Sequence, residues 1–254
     1  MSRAAPARSK PAAAGAKAGG AGDAAPAASS RRPLVRRLLR LVLTALAVLV
    51  AAPIVLVPIY LVVPPISTVM IATRIAEGPI ERQWVAFDDI AKVAVLSVMM
   101  SEDARFCSHG GVDWQELNKV LDNPDGPSRG ASTISMQTAR NLFLWQAPSY
   151  FRKALEIPLA IYSDVVWSKR RTMEIYLNIA EWGPNVFGIE AAAQHHFGRA
   201  ARDLTANQAA LLAVTLPNPR VRNPASPSRQ MQALARTVAA RVRLAGGYIE
   251  CLYP

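Results

Sequence analysis

Four short stretches of this 254-residue chain hold more charged and hydrogen-bonding side chains than packing requires. In the first, "SEDARFCSHGGVD", Glu102 and Asp103 close the apolar run "IAKVAVLSVMM". A carboxylate at a helix C-terminus meets the negative pole of the dipole, which raises its proton affinity. Beside an apolar wall, that is how a general base or acid is set to work near neutral pH. Taken alone, the pair reads equally well as a solvated acidic helix end. The second stretch, "RGASTISMQTARNLFLW", gathers Arg129, Gly130, Ser132, Thr133, Ser135, Gln137 and Arg140 ahead of an apolar helix. Backbone N–H groups at a helix start, with an arginine one or two turns on, suit a phosphate or diphosphate. The same pattern is also a common Ser/Thr cap with an exposed arginine.

In the third stretch, "RKALEIP", Arg152 and Glu156 are four apart and share a helix face, with Lys153 adjacent. By itself this reads as a surface ion pair worth ~0.3–0.5 kcal/mol. The fourth, "WSKRRTMEIYLNIAEWG", places Lys169, Arg170 and Arg171 at a helix start, against the dipole, so something other than helix stability keeps them there. Glu174, Tyr176, Asn178 and Glu181 follow at mixed spacing. His195 and His196 are adjacent and so project differently from a helix; with no H-E-x-x-H spacing they are not read as metal ligands. Trp84, Trp114, Trp145, Trp167 and Trp182 read as core or interfacial anchors rather than a stacking surface for nucleic acid.

The elements that must position these groups are helices. From about Arg82 onward the pattern has helical period, with few alternating β-branched runs. Asp88 or Asp89 is expected to cap the run containing Ile90, Val93, Ala94, Ser97 and Val98, and Asp113 with Glu116 forms an Asp-x-x-Glu box. Ser149, Ser168, Thr205 and Ser228 read as further caps, Thr205 with Gln208 as a full capping box. The last helix, about residues 228–245, is expected to put Met231, Leu234, Val238 and Val242 on one side and to stop at Gly246 and Gly247. Loops fall at residues 122–130, 183–188 and 217–227, natural cleft lips.

Charge is distributed unevenly. The formal balance is +11, but residues 1–40 hold nine Lys or Arg against Asp23 alone. The first thirty residues are Ala, Gly, Pro and Ser with scattered cations, a composition that reads as disordered. From Leu41 to Thr73 there is no charge, and Leu41 to Val63 is almost wholly apolar. Twenty-three helical residues reach ~34 Å, against a hydrocarbon core of ~30 Å. A cleaved signal peptide has a shorter apolar region, so the segment is read as a retained anchor. The positive-inside bias puts the N-terminus in the cytoplasm and the larger part outside. We therefore divide the chain into a basic tail (1–33), an anchor (34–64) and an outer domain (65–254). Cys107 and Cys251 have neither redox nor zinc spacing; a bridge in an oxidising compartment stays open, and two free buried thiols are the favoured reading.

In order and spacing, "EDARFCSHGGVD", "RGASTISMQ", "RKALE" and "KRRTMEIYLNIAEWG" resemble the consecutive motifs of the peptidoglycan glycosyltransferases of family 51. The likeness covers about residues 85–225. It implies a mainly α, lysozyme-like domain behind a single transmembrane helix, on the periplasmic side of the bacterial inner membrane. Such an enzyme polymerises lipid II into glycan strands with inversion and release of undecaprenyl diphosphate. Carried over residue by residue, Glu102 matches the general base and Glu156 the second essential carboxylate. Arg140, Arg152 and Lys153 match positions associated with the donor diphosphate. Asp103, His109, Ser132, Thr133 and Gln137 lie in the motifs that line the cleft. The implied partners are lipid II, the growing strand and the inner membrane, with transpeptidases or division machinery beyond and no nucleic acid. No cofactor is obligatory, although Mg or Mn could bridge the diphosphate oxygens. No transpeptidase motif follows, so cross-linking is expected to fall to other proteins. One departure is Met136, where the family usually has a first glutamine; a tuned cleft or local repacking is expected. A lysozyme-like hydrolase or lytic enzyme would use Glu102 too, but would not need cations at 140, 152 and 153. A non-catalytic scaffold binding anionic lipid through its tail is the other rival.

Overall fold

The computed structural model describes residues 31–122 and 132–254; the tail before Arg31, and Arg129 and Gly130, lie outside the described residues. The chain divides between Ala47 and Val48 into two compact units. Helix α1 (Arg31–Ile59) runs through that division, and its segment Leu34–Ile59 is long and apolar enough to cross a membrane. It stops four residues short of Val63, the expected end of the apolar run. Pro58 already lacks an amide donor, and the following Pro64 and Pro65 forbid helical continuation.

Within the second unit the order is α2 (Thr68–Glu77), β1 (Glu81–Arg82), α3 (Lys92–Glu102), α4 (Trp114–Leu121), α5 (Ile134–Phe143), α6 (Tyr150–Val166), α7 (Lys169–Ile179), β2 (Glu181–Gly183), β3 (Val186–Phe187), α8 (Ile189–Phe197), α9 (Ala206–Ala213) and α10 (Arg229–Arg243). The mainly α expectation is met. Every residue from Ala94 to Met100 is buried, so α3 has no polar face and must be central. It packs against α9 and α10, while α5 packs against α6 and α7. Met99, Phe106, Tyr176 and Trp182 are among the largest side chains of the main core. Met136 is fully buried against Val112, Ala139 and Ala160, so the departure from the family pattern is a matter of packing.

Local chemistry explains most helix starts. The hydroxyls of Ser149, Ser168, Thr205 and Ser228 accept from Arg152, Arg171, Gln208 and Met231 N–H, and Thr205 with Gln208 completes its box. Asp113 caps α4 by accepting from Gln115 and Glu116 N–H, but Glu116 turns outward to Lys119 instead of closing a box. The expected cap by Asp88 or Asp89 is not formed. Those residues lie in a 3-10 turn, and α3 starts at Ala91, whose N–H donates to Ala201 O at 3.1 Å.

Three further expectations are corrected. Residues 183–188 are not a plain loop, because β2 and β3 form an antiparallel hairpin that β1 extends in parallel, in the order β1-β3-β2. Leu234 on α10 is 40% exposed, whereas Met231, Ala235 and Val238 are buried. Cys107 and Cys251 are bonded to each other, their Cα atoms 5.5 Å apart. A separation of 144 residues carried no sign of that proximity.

The cations that start α7 against its dipole are each engaged. Lys169 donates to Asp164 Oδ1 and His109 O, both at 2.6 Å, and stands over the Phe106 ring. Arg170 pairs with Asp88, and Arg171 with Glu174 and with Tyr60 O beyond the end of α1. Trp167 and Trp182 are buried, whereas Trp114 and Trp145 are about half exposed.

Candidate active site

Glu102 ends α3 with its carboxylate held from two sides. Ser101 Oγ donates to its Oε1 and Gln137 Nε2 to its Oε2, both at 3.2 Å. Burial pushes the Glu102 carboxyl up from its ordinary range; the Gln137 and Ser101 hydrogen bonds and the charges of Arg140 and Arg222 pull it partly back. Tyr176 OH donates to Gln137 Oε1 at 3.0 Å. Burial holds that phenol well above its usual titration range, so it stays a donor, and the amide of Gln137 is thereby turned with its NH2 toward Glu102.

The loop after Glu102 is stitched to the start of α5. Asp103 Oδ2 accepts from Ile134 N–H at 3.0 Å and lies 3.0 Å from His109 Nε2. Thr133 caps α5 through Met136 N–H and donates its hydroxyl to Gly111 O at 2.6 Å. His109 faces inward, with its side chain 5% exposed. Gly111 has φ +84°, and a Cβ there would stand 2.7 Å from Ala160 O, so loop and α6 meet backbone to backbone.

The reading of Arg152 and Glu156 as a surface pair is overturned by burial. Glu156 is fully buried; it pairs with Arg152 and accepts from Lys153 Nζ at 3.2 Å. Lys153 Nζ also donates to Ser132 Oγ at 2.6 Å, and Arg152 Nε to Ala147 O at 3.0 Å. Burial lowers the Lys153 ammonium while Glu156 raises it again. Arg140 differs from both. Its Nε is buried without a hydrogen-bond partner among the described residues, and the side chain lines a cleft of about 750 Å³.

That cleft lies between α2 on one side and Gln137, Asn141, Tyr176 and the stretch 216–220 on the other. A smaller cavity of about 300 Å³ is lined by residues 100–105, Asp113, Ser132, Thr133 and Arg241, with Glu102 among them. The Gln137–Glu102 hydrogen bond joins the walls of the two. Of the ten expected site residues, Glu102, Asp103, Ser132 and Thr133 line the smaller cavity and Gln137 and Arg140 the larger cleft; Arg152, Lys153 and Glu156 line neither but join through Lys153 to Ser132, and His109 joins through Asp103. Sequence reading gave no role to Tyr176 or Arg222. Tyr176 stood out only as one of several polar side chains at mixed spacing in the fourth stretch, and Arg222 only by lying in a Pro-rich lip. Arg220 in the same lip bridges Glu77 at 2.7 Å and Glu181 at 2.9 Å across the cleft rim.

Residues 69–243 match the family model described as Transglycosylase. The chain is 60% identical over 189 residues to the biosynthetic peptidoglycan transglycosylase of Brucella suis, covering 74% of this chain and 84% of that one. It is 55% identical over 190 residues to the protein of the same name from Rhizobium meliloti, with 74% and 80% covered. Against that of Agrobacterium fabrum the identity is 56% over 189 residues, with 74% and 84% covered. With its matched residues spanning every element from α2 to α10, the chain belongs to the transglycosylase family and is a glycosyltransferase of peptidoglycan synthesis.

Proposed function

We propose that the chain polymerises lipid II into linear glycan strands, with inversion at the anomeric carbon and release of undecaprenyl diphosphate. The observation that carries this reading is a half-buried, hydrogen-bonded Glu102 near the charge of Arg140, whose side chain lines the cleft and whose buried Nε has no hydrogen-bond partner among the described residues. Glu102 takes the proton from the acceptor's 4-hydroxyl. The oxygen then bonds to the donor's anomeric carbon as the bond to the diphosphate breaks. A single displacement inverts the centre and needs no covalent enzyme intermediate. The diphosphate leaves as an anion, and Arg140 and Lys153 supply positive charge where that anion develops.

Glu156 acts at one remove. Fully buried and paired, it is a positioning residue that holds Arg152 and Lys153 for the donor site. Asp103, Thr133 and Ser132 set the shape of the acceptor cavity, and His109 orients Asp103. No resident cofactor is required in this scheme. Asp103, Asp113 and Glu156 are engaged by His109, Arg105 and Arg152, so an assisting Mg or Mn ion would be carried on the diphosphate oxygens.

For placement, residues 34–64 anchor the chain in the inner membrane, the basic tail 1–33 stays cytoplasmic and residues 65–254 work in the periplasm. The charge asymmetry supports that orientation, and so does the Cys107–Cys251 bond, a feature of oxidising compartments. Transpeptidases that cross-link the strands are the natural partners there. The test is incubation of the full chain with labelled lipid II. Strand growth that Glu102→Gln abolishes, in a variant that still folds and inserts, is the expected result. Shortening of preformed glycan without growth would instead establish a lytic enzyme.

A further inference from the structure

The smaller cavity beside Glu102 has a wall that this scheme leaves without a role. α10 brings Arg241 to it, facing residues 101–105. The carboxylates around the cavity are already matched. Asp103 is held by His109 and Ile134 N–H, Asp113 by Arg105 at 3.3 Å and by the start of α4, and Glu116 by Lys119 at 2.6 Å. Arg105 is likewise engaged, by Asp113 and by Gln115. Arg241 is exposed and, among the described residues, has neither an ion pair nor a side-chain hydrogen bond. The dipole of α10 accommodates a cation in its last turn, and Arg243 meets that preference equally. It gives no reason for a guanidinium that lines a cavity shared with the proton acceptor. The Cys107–Cys251 bond ties the turn after Glu102 to the segment after α10, linking the two sides of this cavity.

We propose that Arg241 is a specificity-determining residue on the acceptor side. Its guanidinium engages an anionic group of the incoming lipid-linked sugar, a peptide-stem carboxylate or a diphosphate oxygen, while Glu102 takes the proton from the sugar hydroxyl. The proposal rests on the polymerase reading above. In that reading the donor takes Arg140 and the larger cleft, and the acceptor takes the smaller cavity, which Glu102 itself lines.

The experiment varies lipid II against a saturating donor strand that still carries undecaprenyl diphosphate at its anomeric end, using the full-length chain in detergent. Arg241→Gln raises the acceptor KM by about tenfold, the scale of one charge-assisted hydrogen bond, and lowers kcat by less. Arg241→Lys recovers part of that loss. Repeating both with lipid II whose stem carboxylates are amidated separates the two sources. If wild type and Arg241→Gln then converge, the carboxylate is the contact; if the gap persists, it is the diphosphate. An acceptor KM unchanged by Arg241→Gln on both substrates overturns the proposal. So does an equal loss of kcat in the Gln and Lys variants with lowered melting temperature, which marks a structural role. A wild-type chain that extends no donor refutes the polymerase reading itself, and the proposal with it.

Discussion

Tyr176 fixes the orientation of Gln137, because its buried phenol donates at 3.0 Å to Oε1 and leaves only the NH2 of the amide to face Glu102. An amide turned the other way would present an oxygen to a carboxylate and raise its proton affinity further. The relay gives the base a donor that does not titrate.

The pH dependence follows with a definite sign. Glu102 must be ionised to accept a proton, and burial sets its folded pKa above the unfolded value. Activity therefore rises with pH through a midpoint higher than that of an ordinary carboxylate. Gln137→Leu removes a hydrogen bond that favours the charged form, so the acid limb of kcat/KM moves to higher pH; Tyr176→Phe moves it in the same direction by less. A limb that stays in place in both variants would show that the relay does not tune the base. The same shift acts on stability. A carboxyl with a raised folded pKa contributes stability that is full below the unfolded pKa and is lost as pH climbs through the folded one. Glu102→Gln is accordingly expected to raise the melting temperature at pH 7, by ~2 °C or more, and to lose that advantage near pH 4.

Removing the buried anion beneath the basic pair has the opposite effect. Glu156→Gln leaves the buried Arg152 and the half-buried Lys153 close together without a counter-charge. Breaking such a pair from one side costs ~3 kcal/mol or more. Urea titration of the variant checks this, and lipid II turnover is expected to fall at the same time because Lys153 loses its fixed place. Stability within error of wild type would mean that the pair is solvated.

Reduction of the Cys107–Cys251 bond should be measurable by denaturation with and without dithiothreitol. A bridge across 144 residues lowers the entropy of the unfolded chain enough to be worth roughly 4–5 kcal/mol on the chain-entropy account. Cys107→Ser with Cys251→Ser should reproduce the reduced state. Superimposable transitions in the two conditions would rule out a stabilising role.

What could be read from the sequence was what local chemistry decides. Ser149, Ser168, Thr205 and Ser228 were legible as caps because an Ncap hydroxyl acts on residues three positions away. α3 resisted the same reasoning, since the Ala91 amide is satisfied by Ala201, 110 residues further on, with no cap needed. The two- and three-residue strands were illegible for a similar reason, Glu81 pairing with Val186. Glu102 and Arg140 were legible as candidates from helix-end chemistry and received their roles from motif resemblance, but the burial of Glu156, which changes its role from surface partner to internal brace, depends on helices that pack over it. Arg222 left no local mark.

The approach of Gly111 to Ala160 has a consequence for how the sequence can drift. A methyl group at position 111 would press on the carbonyl of α6, in the helix that also carries Lys153 two turns earlier. A mutation in a surface loop would thus be felt as a displaced ammonium on another element. Tolerance at 111 is set by a backbone carbonyl forty-nine positions downstream, in the helix that also holds that charge.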